Sequence, residues 1–400
     1  MNVTFRPSAA HGTVPAPPSK SMTHRLLIGA SLAGGTSTIR GVVPSDDVLA
    51  TVDCLRTLGA TITLSGDTAA VTGAPGAPLG EDLFCRASAS TLRMLTPLLW
   101  RGTEPRTVHA APSLLARPTD VFTSLSAEKG LLFQKTEDGF LVRGPLMPGD
   151  YRVSGAVSSQ FVSGLLIALP LLPGDSVLTL LPPVVSRPYL DMTLAALRSF
   201  GITVRSEGDT FFIPGGQHYS PVDTAVEGDW SNAAFLDALR LTGGNVRVTG
   251  LAESSTQGDR VYPALFDRLC GGYAEIDLGE TPDLGPILFV AAALSHGAHF
   301  TGTARLRTKE SDRIAAMTAA LRAVGIRTET GDDDLTVYPG DVTPPSVPLS
   351  GAGDHRVVMA LSVLLSRVGG TLAGAEAVRK SYPDFFDALR SLGIVLDVNS

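Results

Sequence analysis

The stretches LRTLGATITL (residues 55–64), LRSFGITVRS (197–206), LRAVGIRTET (321–330) and LRSLGIVLDV (389–398) decide the fold of this chain. In each, a helical pattern stops at a glycine and an alternating, strand-like pattern follows. Glycine ends a helix readily because it adopts the left-handed conformation without a Cβ penalty. Each stretch is therefore predicted to be helix, stop and strand.

Two looser copies, SLSAEKGLLFQK (124–135) and LFDRLCGGYAEI (265–276), bring the number of repeats to six. The marker glycines are Gly59, Gly130, Gly201, Gly271, Gly325 and Gly393. By subtraction they lie 71, 71, 70, 54 and 68 residues apart, which is self-similarity outside the common solenoid periods. Six related units are implied.

A second series of more uniformly apolar segments alternates with these markers, for example THRLLIGASLAGG (23–35) and PDLGPILFVAAALSHG (282–297). Helices that are apolar nearly all round are buried, so each unit should hold one inner and one outer helix. A chain of 400 residues exceeds what one core usually serves. We therefore expect two α/β domains of three units each, with the DTAVEG stretch (223–228) as a crossing between them.

Composition excludes several classes of protein. The net charge of −7 and the pI near 5.5 argue against a general nucleic-acid or membrane-surface binder. The three cysteines, Cys54, Cys85 and Cys270, form no CxxC pair, which fits neither a disulfide framework nor a zinc site. The first twenty residues lack a signal-like apolar core, and the apolar runs are too short to span a bilayer. We expect a cytoplasmic protein.

Each inner helix begins with a polar cluster, and three of the six clusters carry Lys or Arg: residues 19–25, 87–93 and 354–356. The other three clusters are residues 158–160, 229–232 and 282–283. Helix N-termini favour anions, and added basic side chains sharpen such a site. The alternative is that these Ser and Asp residues are only N-caps, which leaves the basic partners unexplained.

Three further segments carry unusual charge: Arg117-Pro118, residues 305–313 and residues 379–384. A charge run on a helix is usually a solvated face. The second run follows a strand and opens an outer helix, so its charges could instead turn inward. Glu310 and Arg313, three residues apart, would then share one helical side.

Seven motifs together resemble the 5-enolpyruvylshikimate-3-phosphate (EPSP) synthase family, which is the target of glyphosate. They are PSKSMTHR (18–25), SSQF (158–161), SRPYLDMT (186–193), PDLGPILFVAA (282–292), LRTKESDRIAAM (306–317), GDHRVVMALSV (353–363) and RKSYPDFFDAL (379–389). The resemblance runs from about residue 7 to the C-terminus, and the KESDR, DHR and SKS motifs are highly specific.

The resemblance implies a two-domain inside-out α/β barrel, each domain holding three βαβαββ repeats around buried parallel helices. The N-terminal domain would comprise residues 19–226 and face shikimate 3-phosphate. The C-terminal domain would comprise residues 1–18 and 227–400 and carry the phosphoenolpyruvate and acid–base side. The active site is expected in a cleft between the domains.

The implied reaction joins phosphoenolpyruvate to the 5-hydroxyl of shikimate 3-phosphate by addition and elimination, releasing phosphate for aromatic amino-acid biosynthesis. The catalytic residues carried over are Lys20, Asp283 and Glu310. Shikimate 3-phosphate would be bound by Lys20, Ser21, Arg25, Ser158, Ser159, Gln160, Ser186, Tyr189, Asp283 and Lys309. Phosphoenolpyruvate would be bound by Lys20, Ala89, Arg93, Arg117, Gln160, Arg313, Arg356 and Lys380. No metal or organic cofactor is implied, and we expect a monomer that binds neither nucleic acid nor membrane.

The chain departs from the family pattern ahead of Arg93. Most members have an asparagine and a glycine where this chain has Ala87 and Ala89. A Cβ at Ala89 would take space beside the phosphate of phosphoenolpyruvate, so we expect a working synthase that tolerates the longer inhibitor glyphosate. Two enzyme alternatives stay open. One is an enolpyruvyl transferase for a different cyclitol or carbocyclic phosphate. The other is a UDP-N-acetylglucosamine enolpyruvyl transferase, whose catalytic cysteine is missing from the loop around Arg117.

A third alternative is a binding module without catalytic activity. Such a module would be expected to lose some of Lys20, Asp283, Glu310 and Arg313, and this chain has all four. The second charge run also differs from some members of the family, which carry an asparagine at the position of Arg305. Because the family varies at this position, we draw no conclusion from it.

Overall fold

The computed structural model describes residues 1–76 and 82–399. Its β-strands in chain order are β1 Asn2–Phe5, β2 His11–Pro15, β3 Thr36–Arg40, β4 Thr61–Ser65, β5 Thr68–Thr72, β6 Leu83–Phe84, β7 Arg106–His109, β8 Leu132–Lys135, β9 Gly139–Arg143, β10 Asp150–Ser154, β11 Ser176–Leu181, β12 Arg205–Glu207, β13 Thr210–Ile213, β14 Asp223–Ala225, β15 Asn245–Thr249, β16 Ala274–Asp277, β17 Ala298–Thr301, β18 Thr328–Thr330, β19 Asp334–Val337, β20 Leu349–Ser350, β21 Gly370–Ala373 and β22 Leu396–Asn399.

The α-helices in chain order are α1 Lys20–Leu32, α2 Asp46–Thr57, α3 Ala89–Leu99, α4 Pro112–Leu115, α5 Asp120–Lys129, α6 Ser159–Ala168, α7 Arg187–Ser199, α8 Trp230–Asp237, α9 Tyr262–Gly271, α10 Gly285–Ala293, α11 Arg313–Ala323, α12 His355–Val368 and α13 Phe385–Ser391. Short 3₁₀ turns lie at Leu169–Leu171, Ala238–Thr242, Gly258–Val261, Ala304–Thr308 and Ala375–Lys380.

The chain forms two compact units. The N-terminal unit is Pro18–Glu227, and the C-terminal unit combines Met1–Pro17 with Gly228–Ser400. Each unit has its own hydrophobic core, built from inner helices and the inward faces of its sheets.

The N-terminal unit contains three four-stranded sheets of the same design. Their strand orders are β14-β3-β5-β4, β6-β7-β9-β8 and β10-β11-β13-β12. In each sheet the first two strands are parallel and the remaining pairs are antiparallel. The inner helices α1, α3 and α6 pack among the sheets, as their apolar sequences predict.

The C-terminal unit repeats this design in the sheets β16-β17-β19-β18 and β20-β21-β1-β22. Its third sheet contains only β15 and β2 in the part of the chain that the structure describes. Every residue of the inner helix α10, from Gly285 to Ala293, is buried, which explains why its sequence is apolar all round.

The marker glycines behave as predicted in five of the six copies. Gly59, Gly130, Gly201, Gly325 and Gly393 have φ between 67° and 100° and directly follow or nearly follow a helix end. Gly271 is the exception, because it is still the last residue of α9 and the next glycine, Gly272, turns the chain. Strand β16 then begins the next sheet at once, without an intervening hairpin. This missing hairpin explains the short spacing of 54 residues to Gly325.

Candidate active site

The start of α1 carries the first group of predicted binding residues. The side chain of Ser19 caps the helix by accepting from the backbone N–H of Met22. Lys20, the first helical residue, donates from Nζ to Oδ2 of Asp47 on α2 at 2.8 Å. The ammonium group is thereby held in place by a nearly buried carboxylate, which the sequence analysis did not single out.

Arg25 lies one turn further along α1, buried among three helices. Its guanidinium donates to Thr193 Oγ1 at 2.8 Å, to the carbonyl oxygen of Ser21 at 2.6 Å and to that of Tyr189 at 3.0 Å. Burial lowers the pKa of Arg25 to about 10, and Tyr189 opposes this shift. Arg25 therefore ties α1 to α7 through groups that the sequence analysis assigned to ligand binding.

Arg93 and Gln160 join the starts of α3 and α6. Arg93 Nη1 donates to Gln160 Oε1 at 3.1 Å, and Gln160 Nε2 donates to Ser90 Oγ at 2.8 Å. The Arg93 guanidinium also lies 4.5 Å from the centre of the Phe161 ring, a favourable cation–π distance. Two predicted phosphoenolpyruvate ligands are thus brought into direct contact.

The segment after α4 approaches the same arginine. Arg93 Nη2 donates to the carbonyl oxygen of Pro118 at 3.1 Å, which places the neighbouring Arg117 beside this group of residues. Ala89 is the first residue of α3 and is buried, directly after the capping serine Ser88. A methyl group therefore occupies the start of this helix.

The other serines of the prediction also lie at helix starts. Ser158 caps α6, and its hydroxyl accepts from the backbone N–H of Gln160 at 3.4 Å. Ser159 is the first residue of α6 and is buried. Ser186 precedes α7, is buried and has a φ of 57°, which is unusual for a residue with a side chain. Backbone in this left-handed region is frequent at functional sites.

A chain of hydrogen bonds through hydroxyl groups connects α1, α2 and the start of α3 in the N-terminal unit. His24 Nδ1 is 2.7 Å from Thr51 Oγ1, which is 2.7 Å from Thr91 Oγ1. Thr91 in turn donates to Ser88 Oγ at 2.7 Å. Burial, countered by Asp47 and assisted by Lys20 and Arg25, lowers the pKa of His24 to about 3. His24 is therefore a neutral structural link between α1, α2 and the cap of α3.

In the C-terminal unit, Asp283 comes directly before the N-cap residue of α10 and does not cap that helix. Its Oδ1 accepts from Arg313 Nη1 at 3.0 Å, and its Oδ2 accepts from Arg356 Nη2 at 3.2 Å. Burial alone would raise the pKa of Asp283, but Arg356, Arg313 and Lys309 hold it well below its usual range.

Arg313 is the centre of this cluster. It is 1% exposed and forms ion pairs with Asp283 at 3.0 Å, Glu310 at 3.0 Å and Asp354 at 2.8 Å. Although burial alone would lower it, these carboxylates raise the pKa of Arg313 above its ordinary value. Glu310 is not helical, because α11 begins only at Arg313 with Asp312 as its cap. The predicted contact between Glu310 and Arg313 is nevertheless present.

Arg356 approaches Asp283 from α12. Its Nη1 donates to Asn232 Oδ1 at 3.3 Å, in addition to the contact with Asp283. Asp354 caps α12 by accepting from the backbone N–H of Arg356 at 2.9 Å while it pairs with Arg313. One carboxylate therefore serves both as a helix cap and as an ion-pair partner.

Lys309 and Lys380 belong to 3₁₀ turns of the same unit. Lys309 follows the turn Ala304–Thr308 and is half-buried. Desolvation is the largest cause that lowers the pKa of Lys309 to about 7, with Asp283 opposing it and Arg305 assisting it. Lys380 ends the turn Ala375–Lys380, which packs against α12.

Three acidic residues that contact or neighbour the predicted basic residues were not predicted from the sequence: Asp47, Asp354 and Asp259. In the sequence, Asp47 looks like an ordinary residue of the first turn of a helix, and Asp354 looks like an ordinary helix cap. Asp259 has no signal in the sequence beyond its place after a glycine. Each gains its contacts from elements far away along the chain, so a local pattern could not have indicated them.

The comparisons with known proteins agree over nearly the whole chain. A family model described as EPSP synthase (3-phosphoshikimate 1-carboxyvinyltransferase) matches residues 6–269 and 271–389. The chain belongs to the EPSP synthase family.

Full-length relatives support this family assignment. The chain is 37% identical to a 3-phosphoshikimate 1-carboxyvinyltransferase of Clostridium kluyveri, over 99% of this chain and 98% of the relative. It is 36% identical to the enzyme of the same name from Methanocorpusculum labreanum, over 98% and 99% of the two chains.

Solved structures support the fold. An EPSP synthase from Acinetobacter baumannii matches with a TM-score of 0.80 and 24% identity, over all of both chains. An enolpyruvyl transferase named NikO from Streptomyces tendae matches with a TM-score of 0.77 and 18% identity, over 99% and 98%. The two-domain α/β fold predicted from the EPSP synthase motifs is confirmed.

None of the helices in residues 1–76 and 82–399 is long and apolar enough to span a membrane. Within the same residues, no group of three or more His, Cys, Asp or Glu side chains has an arrangement that could hold a metal ion.

Proposed function

We propose that this EPSP synthase family member transfers the enolpyruvyl group of phosphoenolpyruvate to the 5-hydroxyl of shikimate 3-phosphate and releases phosphate. The observation that carries the proposal is one network of ion pairs. Arg313 and Arg356 both pair with Asp283, and Arg313 also pairs with Glu310. It combines two cations for an anionic substrate with two carboxylates for proton transfer.

The site residues of the N-terminal unit and those of the C-terminal unit are proposed to have different tasks in one reaction. In the N-terminal unit, Lys20, Ser21, Arg25, Ser158, Ser159, Ser186 and Tyr189 lie at or near the starts of α1, α6 and α7. Helix N-termini and hydroxyl groups suit the phosphate and carboxylate of shikimate 3-phosphate. Arg93, Arg117 and Gln160, together with Lys380 of the C-terminal unit, supply further donors for phosphoenolpyruvate.

Substrate binding is proposed to release the acid and the base from their ion pairs. Arg313 is surrounded by carboxylates, so an incoming anion must replace at least one of them. A carboxylate that is paired with two arginines is a weak base, and an ionised, paired glutamate has no proton to give. When phosphoenolpyruvate takes over the guanidinium groups, Asp283 becomes a stronger base, and Glu310 loses its ion pair and takes up a proton from water.

The reaction then proceeds by addition and elimination. Glu310 gives a proton to C3 of phosphoenolpyruvate while the 5-hydroxyl oxygen attacks C2 and Asp283 accepts the hydroxyl proton. The tetrahedral intermediate collapses when Glu310 takes a proton back from the methyl carbon and the C2–O bond to phosphate breaks, while Asp283 gives its proton to the departing phosphate oxygen. The lysines and arginines stabilise the negative charge throughout. Asp47 pairs with Lys20 at 2.8 Å, which supports a fixed position for the charge of this lysine.

The decisive experiment measures phosphate release from phosphoenolpyruvate with and without shikimate 3-phosphate. We expect release to depend on shikimate 3-phosphate and the organic product to carry a carboxyvinyl ether at the 5-oxygen by mass spectrometry and NMR. Folded protein that shows no stimulation by this acceptor would remove the proposal.

A different acceptor is the second candidate, because Ala87 and Ala89 replace family residues beside Arg93. The same assay with a panel of phosphorylated cyclitols and carbocycles distinguishes the two functions. We favour shikimate 3-phosphate, since each residue carried over for this acceptor is present. We also expect a cytoplasmic monomer, which light scattering of the purified protein and fractionation of its source cells would test.

A further inference from the structure

A buried carboxyl group that has no place in the proposed mechanism lies near its arginines. Asp259 belongs to the 3₁₀ turn Gly258–Val261 and is 2% exposed. Its Oδ2 accepts a short hydrogen bond from Ser231 Oγ. Its Oδ1 has no hydrogen-bond partner among residues 1–76 and 82–399. Burying a carboxylate with so little compensation is unfavourable, which suggests a task beyond packing.

The turn that carries Asp259 is fastened to the start of α8. Gln257 Nε2 donates to the carbonyl oxygen of Gly228 at 2.8 Å, and its Oε1 accepts from the backbone N–H of Trp230 at 3.0 Å. These two bonds fix the turn against the first residues of the helix. The turn that carries Asp259 is therefore held against the start of α8.

Asp259 faces charged groups from three other elements. Asp229 and Ser231 come from the start of α8, Asp283 from the segment before α10, and Arg356 from α12. Arg356 itself contacts Asp283 Oδ2 at 3.2 Å and Asn232 Oδ1 at 3.3 Å. Two carboxyl groups, those of Asp283 and Asp259, therefore act on this single arginine.

The unpartnered Asn232 Nδ2 adds a second observation at the same place. This amide nitrogen is buried and has no hydrogen-bond acceptor among the described residues, although Asn232 Oδ1 accepts from Arg356. Asn232 adjoins Ser231, the hydrogen-bond partner of Asp259, so an unsatisfied donor and an unsatisfied acceptor belong to the same helix start. A well-packed structural network would normally satisfy both.

We propose that Asp259 is a positioning residue that sets the affinity of Arg356 for phosphoenolpyruvate according to whether Asp259 carries a proton. As a neutral acid it leaves the positive charge of Arg356 to the substrate. As a carboxylate it adds a negative charge beside Arg356 and competes with the substrate anion. The inference rests on the proposed function, in which Arg356 binds phosphoenolpyruvate.

The pKa of Asp259 lies near neutral pH. Burial and then the charge of Asp283 raise the pKa of Asp259 to about 7, with Asp229 acting in the same direction. The hydrogen bond from Ser231 and the charge of Arg356 act against this rise. The neutral form is present below this pH and the carboxylate above it.

The test compares KM for phosphoenolpyruvate between pH 6 and 9 in the parent and in Asp259→Asn, which mimics the neutral acid. The ratio of the two KM values cancels the ionisation of the substrate's own phosphate. We expect this parent-to-variant ratio to be close to one at pH 6 and to reach roughly fivefold by pH 8.5, the lower end of typical coupling between sites. The kcat values should stay similar at pH 6.

The control is Asp267→Asn, which removes an exposed carboxylate from the neighbouring helix α9 and should leave the ratio flat. A second variant, Ser231→Ala, keeps the carboxyl group but removes its hydrogen bond, so the rise in KM should move to higher pH. This variant decides the matter if Asp259→Asn does not fold.

Three outcomes overturn the proposal: a KM ratio that is constant with pH, a midpoint that Ser231→Ala does not move, or a pH-dependent effect confined to kcat. Failure of the proposed function would look different, because the parent would then release no phosphate in response to shikimate 3-phosphate at any pH.

Discussion

Arg93 Nη1 donates to Gln160 Oε1 at 3.1 Å, so the starts of helices α3 and α6 share one hydrogen bond between two predicted phosphoenolpyruvate ligands. The carbonyl oxygen of Pro118 and the ring of Phe161 hold the same guanidinium from other sides. The arginine is therefore oriented before any substrate arrives, which reduces the entropy lost on binding.

Replacing Gln160 by Ala should raise KM for phosphoenolpyruvate by about tenfold or more, because a hydrogen bond to a charged group is worth roughly 1.5–3 kcal/mol. The fold should persist, since Gln160 is only partly buried. Steady-state kinetics at saturating acceptor would measure the effect. Gln134→Ala, which truncates an exposed glutamine on β8, is the matched control. An unchanged KM would contradict the role of the pair.

Replacing Glu310 by Gln should preserve substrate binding and lower kcat by about 10²–10⁴, the usual contribution of a positioned acid or base. An amide can still accept from Arg313 Nη2, so the local structure should be retained. Single-turnover phosphate release and equilibrium binding separate the two effects. Glu329→Gln changes an exposed glutamate on β18 and should leave kcat unaltered. Turnover close to that of the parent in Glu310→Gln would end the proposed role.

Replacing Asp354 by Asn should destabilise the C-terminal unit by roughly 3 kcal/mol or more, because it removes one partner of a fully buried ion pair. Asp354 pairs with Arg313 at 2.8 Å and is 0% exposed. Chemical denaturation followed by circular dichroism would report the change. Asp387→Asn breaks an exposed pair with Arg390 and should have little effect. Equal stability of the two variants would show that the buried pair is not needed.

Replacing Ala89 by Gly should make the enzyme more sensitive to glyphosate by roughly tenfold, since one methyl group in a binding pocket is worth about 1–3 kcal/mol. Ala89 is buried at the start of α3, where a glycine is tolerated without loss of the helix. Inhibition curves at fixed phosphoenolpyruvate would measure the shift. Ala127→Gly makes the same change on the exposed side of α5 and is the control. A parent enzyme that is already inhibited at low glyphosate would show that Ala89 gives no tolerance.

The stability of the N-terminal unit should fall as pH decreases from about 6.5 towards 3, because of His24. Burial lowers its pKa from the ordinary value of 6.5 to about 3 in the folded protein, so the unfolded chain takes up the proton first. Each pKa unit corresponds to 1.36 kcal/mol, so this single group would withdraw about 2 kcal/mol by pH 5. Denaturation midpoints of His24→Asn should depend less on pH in this range. The exposed His296→Asn should follow the parent, and identical slopes in all three proteins would contradict the assignment.

Much of the fold could be predicted from the sequence because its signals are local. Glycine stops such as Gly59 and the all-apolar pattern of α10 report on single elements, and the structure contains both as expected. The short spacing after Gly271 was visible in the sequence, but its cause was not. Whether a hairpin follows a helix depends on which strand pairs next in the sheet. Tertiary packing determines that pairing.

The site was less predictable in its acidic half. Basic residues at helix starts stand out because a lysine or arginine is unusual there, whereas Asp354 looks like an ordinary cap. Its partner Arg313 is 41 residues away along the chain, and Asp47 is 27 residues from Lys20. Pairing over such distances follows from how helices pack, and no local pattern encodes it.

The position of strand β1 has a consequence for biosynthesis. Val3 pairs with Leu372 on one side and with Val398 on the other, so β1 needs both β21 and β22 to complete its sheet. At about 5–20 residues per second, the partners of β1 emerge roughly 20 to 80 s after it does. Residues 18–227 have all their own strands much earlier and could fold during translation. Strand β1 must therefore stay unpaired until residues 370–399 have been synthesised, which makes it a natural target for chaperones that bind nascent chains.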